Sequence, residues 1–188
     1  MDGNSLVVTY PSASGAPEVS TVTQVVTAGG GGGGGGGDSQ LFVANQQDIV
    51  NAGFVDITGL TFAVAVNKAY QFEFFVVFRS SATAMGVLFG LNGPASPTRL
   101  YGLSRKQITT PATPSTDMFS EARLAAYDTP LPASTAEPIQ ASDLLWHCRG
   151  VFLNGANAGT FAARFSKENV AGTASIMPGS FGKYRLLN

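Results

Sequence analysis

The residues best suited to chemistry are the single histidine and the single cysteine, His147 and Cys148, which are adjacent in a stretch of β-strand character. A histidine acts as a general base beside a nucleophile and an orienting carboxylate, and zinc requires about four histidine, cysteine or carboxylate ligands. The sequence holds no further histidine or cysteine for a zinc set, and no Gly-x-Ser-x-Gly segment to present a nucleophilic serine. We therefore interpret His147 as a structural or surface residue, with a triad assembled in space left open. A lone cysteine excludes a disulfide within the chain.

The carboxylates and the glycines also lack the spacing of a catalytic motif. Glycosidases need two carboxylates facing each other across a cleft, and the acidic residues here are scattered. Those considered are Asp48, Asp56, Glu73, Glu121, Asp128, Glu137, Asp143 and Glu168. The run Gly29–Gly37 does not end in the Lys-Ser/Thr pair of a phosphate-binding loop. The sequence therefore predicts a protein that is not an enzyme and that carries no cofactor and no metal.

The composition predicts an assembling protein with one main core. The chain has 188 residues, of which 44% are apolar and 12% charged, and its formal net charge is −1. Such a balance gives no electrostatic reason to expect nucleic acid as a partner, and no apolar run is long enough to span a membrane as a helix. A surface so poor in charge is either uncharged and polar or covered by neighbouring subunits.

The nine consecutive glycines Gly29–Gly37 divide the chain into three predicted parts: an arm over 1–28, a linker over 29–37 and a domain over 38–188. Polyglycine is typical of a flexible tether, with a packed strand inside an oligomer as the alternative. The arm has two β-prone stretches, too few for a core of its own, and is predicted to lie on another subunit by adding a strand to an exposed sheet edge. A disordered tail is the alternative. The predicted anchoring residues are Leu6, Val7, Val8, Tyr10, Val22, Val25 and Val26.

Alternation at period two predicts that the domain is built from strands. In Tyr70–Arg79 one face is apolar, and the other mixes Phe75 and Val77 with charged residues. Leu144–Leu153 repeats this pattern, with Val151 and Leu153 on its mixed face. The predicted core comprises Phe72, Phe74, Val76, Phe78, Trp146, Phe152, Phe161 and Phe165. The mixed faces predict an oligomer, most simply a trimer, with Phe75, Val77, Val151 and Leu153 at its interface.

Turn-rich segments such as Asn92-Gly93-Pro94 separate eight to ten short strands, which predicts an all-β, jelly-roll-like antiparallel sandwich with an extended N-terminal arm. Further strands are expected at Leu41–Ala44, Phe54–Ile57, Leu60–Val66, Met85–Leu91, Leu124–Tyr127, Ala174–Met177 and Gly182–Leu187. One helical turn each is considered for Gln46–Ala52 and Asp117–Leu124. The irregular segment Ile108–Pro138 is expected to be either a binding loop or a plain surface connection.

Three segments carry a resemblance to a known family: Met85–Thr98, Gly150–Thr160 with Arg164–Phe165 after it, and Gly179–Tyr184. Together they resemble a module that recurs in virion proteins of tailed bacteriophages, over about residues 38–188. The resemblance implies a jelly-roll-like module, commonly trimeric, on the virion surface of a particle made in the host cytoplasm. No long shaft precedes the module here, which favours a short surface attachment over a receptor-reaching fibre.

Two functions follow as expectations. The first is a capsid decoration, cement or head-fibre protein whose arm docks on the major capsid protein or another virion protein. The second is a tail-fibre or receptor-binding protein whose loops contact host-surface glycan. Glycan binding normally uses exposed aromatic residues, and Tyr101, Phe119 and Tyr127 are the candidates near the irregular segment, each equally compatible with the core.

Overall fold

A computed structural model of the chain describes residues 37–49, 52–82, 85–108, 118–130, 142–168 and 172–187. Within these ranges the regular structure is entirely β, in eleven strands. They are β1 Ser39–Phe42, β2 Gln47–Ile49, β3 Val55–Val64, β4 Ala69–Ser80, β5 Val87–Asn92, β6 Arg99–Ile108, β7 Met118–Leu124, β8 Leu144–Leu153, β9 Gly159–Lys167, β10 Ala174–Ile176 and β11 Phe181–Leu186.

The strands form two antiparallel sheets with the pairing order of a jelly roll. The large sheet runs β1-β11-β4-β8-β6-β7, with β10 beside one end of β4 and β2 beside β10, and the small sheet runs β3-β9-β5. The first described strand pairs with the last, and the pairs β3 with β9 and β4 with β8 nest inside it. Because β3 to β6 alternate between the sheets, the chain wraps around one core, as in other jelly rolls. The predicted jelly-roll-like antiparallel sandwich is confirmed.

The core lies between the facing sides of the two sheets. All eight predicted core residues are buried there, which confirms the predicted strand phases of β4, β8 and β9. Phe161 of the small sheet lies 4.9 Å from Phe72 and 4.7 Å from Phe152 of the large sheet, measured between ring centroids. Phe89 stacks on Trp146 at 4.5 Å. Aromatic pairs at these distances stabilise the sandwich beyond the area that they bury.

Two segments considered for helical turns are strands instead. Gln46–Ala52 contains β2, and Asp117–Leu124 contains β7, so the helical interpretation is wrong for both. The strand predicted at Leu124–Tyr127 is also wrong, because β7 ends at Leu124. Both β2 and β7 are held by pairing to distant partners, β10 and β6, and tertiary pairing overrides a weak local preference.

The sequence reasoning missed β6 because its inward positions are partly polar. Ser104 and Lys106 face the core and are fully buried, which breaks the apolar alternation expected of a strand. Both are satisfied by specific partners: the Ser104 hydroxyl accepts a hydrogen bond from Trp146 Nε1, and Lys106 Nζ donates to the Val87 carbonyl oxygen. Buried polar groups are tolerated when they are bonded in this way.

β3 is a single strand where two were predicted, and a bulge explains the interruption. Its register against β9 shifts between Asp56 and Thr61. Gly59 has φ of 92°, and a Cβ atom there would overlap the carbonyl oxygen of Phe42. Glycine is favoured at this bulge because it adopts a positive φ without strain and has no Cβ atom to collide with the neighbouring backbone.

The arm over 1–28 and the linker up to Gly36 lie outside the described residues, as do all seven predicted anchoring residues. Their roles stay predictions. Of the irregular segment 108–138, residues 109–117 and 131–138 also lie outside the described ranges, and the part between them contains β7.

Candidate functional site

The side of the large sheet that points away from the core is the candidate functional surface, and we call it the outer face. It is formed by alternate residues of β4, β6, β7, β8 and β11, at positions between those of the buried side chains. Antiparallel register places these residues in rows across the strands. One row runs Phe42, Phe181, Phe75, His147, Arg105 and Glu121. The next row runs Gln40, Lys183, Glu73, Arg149, Leu103 and Arg123.

The aromatic row is the part of the outer face formed by Phe42, Phe181, Phe75 and His147. The ring of Phe75 stacks on Phe181 at 4.8 Å and on His147 at 4.3 Å. Phe42 is 59% exposed and Phe181 39% exposed. Val77 and Leu145 pair across β4 and β8 directly beside this row. The result is a continuous apolar strip on the solvent side of the sheet.

Glu73 contacts one residue of the aromatic row and one residue of its own row through its two carboxylate oxygens. Its Oε1 lies 2.8 Å from His147 Nε2, and its Oε2 lies 3.0 Å from Lys183 Nζ. Partial burial opposes ionisation of Glu73, but hydrogen bonds from Lys183 and His147 outweigh it and hold the pKa of Glu73 below its usual value. The hydrogen bond to Glu73 also raises the pKa of Lys183. His147 is thus bonded and stacked on the outer face, as expected of a structural or surface histidine.

A second surface, the arginine groove, lies beside the aromatic row on the outer face. It is an open concavity of about 510 Å³. Its apolar lining comes from Tyr101, Leu103 and Val151, and its charged lining includes Arg123 and Arg149.

The groove includes a pair of glycines on β6 and β8. Gly102 pairs with Gly150 in the register of these strands. A Cβ atom at Gly102 would overlap the carbonyl oxygen of Arg149, and one at Gly150 would overlap that of Tyr101. Glycine at both positions is therefore required by the close approach of the two backbones.

In contrast to Arg79 and Arg105, the two groove arginines have no acidic partner among the described residues. Arg79 pairs with Asp143, and Arg105 pairs with Glu121. Arg149 and Arg123 form no ion pair with any residue in the described ranges, and the guanidinium of Arg123 lies 4.9 Å from the centre of the Tyr101 ring. Arg149 faces Glu73 across the strands, but both carboxylate oxygens of Glu73 are already engaged.

The four predicted interface residues all lie on strands of the outer face, but in different parts of it. Phe75 belongs to the aromatic row and Val77 lies beside it, whereas Val151 lines the arginine groove. Leu153, at the end of β8, pairs with Ala69 and Arg99. Their role in an oligomer stays a prediction.

The three aromatic candidates for glycan contact differ in exposure, since two are exposed and one packs against the core. Tyr101 is 54% exposed in the groove, and Phe119 is exposed under the guanidinium of Arg105. Tyr127 instead packs against Phe152 and Phe161, and burial raises the pKa of its hydroxyl. The structure therefore assigns Tyr127 to the core and leaves Tyr101 as the exposed ring beside unpaired charge.

Within the described residues, no group of three histidine, cysteine or carboxylate side chains is placed to hold a metal ion. The Cys148 thiol is buried, and burial raises its pKa, so the reactive thiolate is disfavoured. In the same part of the chain, no helix has the length and apolar character needed to cross a membrane.

No protein-family model and no curated protein sequence matches the chain. Among solved structures, the chain is similar to one titled the structure of infectious bursal disease virus Gt strain, at 9% identity and a TM-score of 0.23, over 80% of this chain and 42% of that one. It is also similar to the VP2 subviral particle of that virus, at 8% identity and a TM-score of 0.23, over 81% and 42%. This chain thus spans less than half the length of those chains. Overlap this weak assigns neither family nor function, and the fold assignment stands on the strand pairing.

Proposed function

We propose that this chain is a structural protein of a phage virion, displayed on the particle surface as a capsid decoration, cement or head-fibre protein. In this proposal the jelly roll joins copies of itself, most simply as a trimer, and the arm over 1–28 attaches it to the major capsid protein or another virion protein. The sequence resemblance to phage surface modules and the jelly-roll fold both support the proposal.

The observation that carries it is the aromatic row. Phe42 and Phe181 are well exposed, and the apolar strip continues through Phe75 to Val77 and Leu145. A contiguous apolar surface of this kind marks an interaction site on a soluble protein. Charged residues border the strip on one side, where Glu73 bonds His147 and Lys183.

The position of Phe42 favours a second copy as the partner. Phe42 ends β1, which lies at the edge of the large sheet and pairs with β11 alone among the described strands. An edge strand presents unpaired backbone groups that another chain can bind. The Phe42 carbonyl oxygen already lies against Gly59 of β3, so the contact with a second copy is expected to use the exposed Phe42 ring. A symmetric oligomer uses the same patch on every copy.

Sedimentation velocity of the full chain at micromolar concentration tests the assembly. We expect a trimer for the wild type and a monomer for the double variant Phe42→Ser, Phe181→Ser. The matched control is Val55→Ser, Val66→Ser, which removes two exposed valines away from the outer face and should leave the trimer intact. A monomeric wild type contradicts the proposal.

Particle occupancy tests the attachment. Deleting residues 1–28 should abolish incorporation into virions while the remaining domain keeps its melting transition, because strands between Ser39 and Leu186 supply both sheets and the core between them. Incorporation that survives the deletion would show that the arm is not the anchor.

The alternative function, a tail-fibre or receptor-binding protein that contacts host glycan, is favoured by a different observation. The exposed ring of Tyr101 lies beside two arginines that form no ion pair with the residues that the structure describes. Both functions are compatible with one molecule, because the aromatic row and the arginine groove occupy different rows of the outer face.

A further inference from the structure

We infer that the arginine groove is a binding site for an acidic saccharide, in which Arg149 and Arg123 hold carboxylates and Tyr101 provides the surface on which a sugar ring rests. The inference concerns a site separate from the aromatic row and does not depend on the proposed assembly. It names the ligand class that the alternative receptor function would require.

The register of three adjacent strands sets the spacing of the two arginines. Leu103 on β6 pairs with Arg149 on β8 at one side and with Arg123 on β7 at the other. The two arginine backbones are therefore separated by two strand spacings, or about 10 Å. Leu103 therefore lies between the two arginines and provides an apolar contact there. This arrangement suits an elongated ligand with an acidic group at one or both ends.

The charge of the groove favours an anion. Glu73 also lines the groove, but its negative charge is offset by Lys183 at 3.0 Å, so the two arginines leave the groove with net positive charge. The guanidinium group is a planar donor that binds carboxylates through two parallel hydrogen bonds. Two such groups without an acidic partner in the described residues create a local positive potential on a chain of net charge −1.

The remaining lining favours a saccharide over an acidic peptide. Tyr101 and Val151 pair across β6 and β8, and Gln71 extends the same row on β4. The Arg123 guanidinium lies over the Tyr101 ring, but the side chain is 54% exposed, so ring surface and hydroxyl are still offered to a sugar. Gln71 Oε1 accepts a hydrogen bond from Arg185, which leaves the Gln71 amide group as a donor to sugar hydroxyls. All of these residues belong to paired strands, so the site is rigid before any ligand binds.

The test is isothermal titration calorimetry of the full chain with two probes, trigalacturonic acid and sialyllactose. The matched neutral probes are the methyl esters of the same sugars, which keep the shape and remove the charge. We expect binding of at least one acidic probe, weaker binding at high salt, and no binding of its methyl ester.

Variants then locate the site. Arg149→Gln and Tyr101→Leu should each lower the affinity by roughly tenfold or more, because a hydrogen bond to a charged group or an aromatic contact is lost. Arg105→Gln is the matched control, since Arg105 is an outer-face arginine that is paired with Glu121 and does not line the groove. Circular dichroism of each variant checks that the fold is retained.

Three outcomes would overturn the inference: no binding of either acidic probe, equal binding of the methyl esters, or unchanged affinity in Arg149→Gln. Binding of hexaglutamate without binding of either sugar would assign the groove to an acidic peptide instead. None of these outcomes alters the sedimentation result for the aromatic row, so failure of this inference and failure of the proposed assembly are distinguishable.

Discussion

The two sides of β4 and β8 perform different tasks although their residues alternate along the same strands. Phe74 is fully buried between the sheets, while its neighbour Phe75 lies on the outer face against His147 and Phe181. The inner side is apolar along nearly its whole length. The outer side combines rings, a bonded Glu73 and the unpaired Arg149. The inner side is therefore expected to determine stability, and the outer side to determine what the protein contacts.

The outer face itself has two kinds of exposed surface, the aromatic row and the arginine groove. The aromatic row is apolar and extends to an edge strand, which suits a flat contact with another protein. The arginine groove is concave and positively charged, which suits a small polar ligand. Two such different surfaces on one sheet correspond to the two proposals, assembly through the aromatic row and ligand binding in the arginine groove.

The largest expected effect of a single change is on the inner side. Phe74→Ala should lower the free energy of unfolding by about 3–5 kcal/mol, because it leaves a cavity at a fully buried position. Phe75→Ala, one residue away, should lower it by less than about 1.5 kcal/mol, because aromatic contacts on an open face contribute less. Urea denaturation measures the difference, with both variants made in the Phe42→Ser, Phe181→Ser background so that no second copy covers Phe75. Equal losses would mean that the outer face is part of a core, and the contrast between the two sides would fail.

The inner side was predictable because one physical rule governs it. Period-two apolar alternation in β4, β8 and β9 is a local signal, and burial in a sandwich enforces it. The rule fails in β6, where Ser104 and Lys106 occupy inward positions and are satisfied by hydrogen bonds from or to distant residues. A buried lysine has no local signature that distinguishes it from a surface lysine.

The arginine groove was not predictable, because its parts are distant in sequence. Tyr101, Arg123 and Arg149 come together only through the order β8-β6-β7, which pairs strands that are not all consecutive. The sequence did mark Val151 as an outward apolar residue and Tyr101 as a possible ligand contact. It contained no signal that Glu73 would be bonded elsewhere and leave Arg149 without a partner.

A change at the glycine pair tests whether the groove depends on close strand approach. Gly102→Ala should lower the free energy of unfolding by about 1–3 kcal/mol, because the added Cβ would overlap backbone atoms of β8 that cannot move independently. Gly90→Ala is the matched control on β5, where the added Cβ meets the side chain of Phe54 at 3.0 Å. A side chain can rotate away, so a smaller loss is expected. If the two variants denature at the same urea concentration, the close approach of β6 and β8 is not a constraint on the sheet.

The smallest expected effect on stability comes from Glu73, which lies between the aromatic row and the arginine groove, and this effect depends on pH. The pKa of Glu73 is lowered in the folded protein from its usual 4.5. A carboxylate with a lowered folded pKa binds fewer protons in the native state than in the unfolded state. Its contribution is therefore complete above pH 4.5 and is lost as the pH falls through the folded value.

Glu73→Gln should accordingly remove this contribution, of about 1 kcal/mol or less for a partly solvated group. The variant should be less stable than the wild type at pH 7, and the difference should shrink as the pH falls below 4.5. Glu121→Gln is the control, because Glu121 makes an exposed pair with Arg105 and should change stability little at either pH. Urea denaturation at pH 7 and pH 3 measures both variants. The free energy of unfolding of Glu73→Gln could instead stay below that of the wild type by the same amount at both pH values. That result would show that Glu73 stabilises the outer face through packing, and that its charge does not link the aromatic row to the groove.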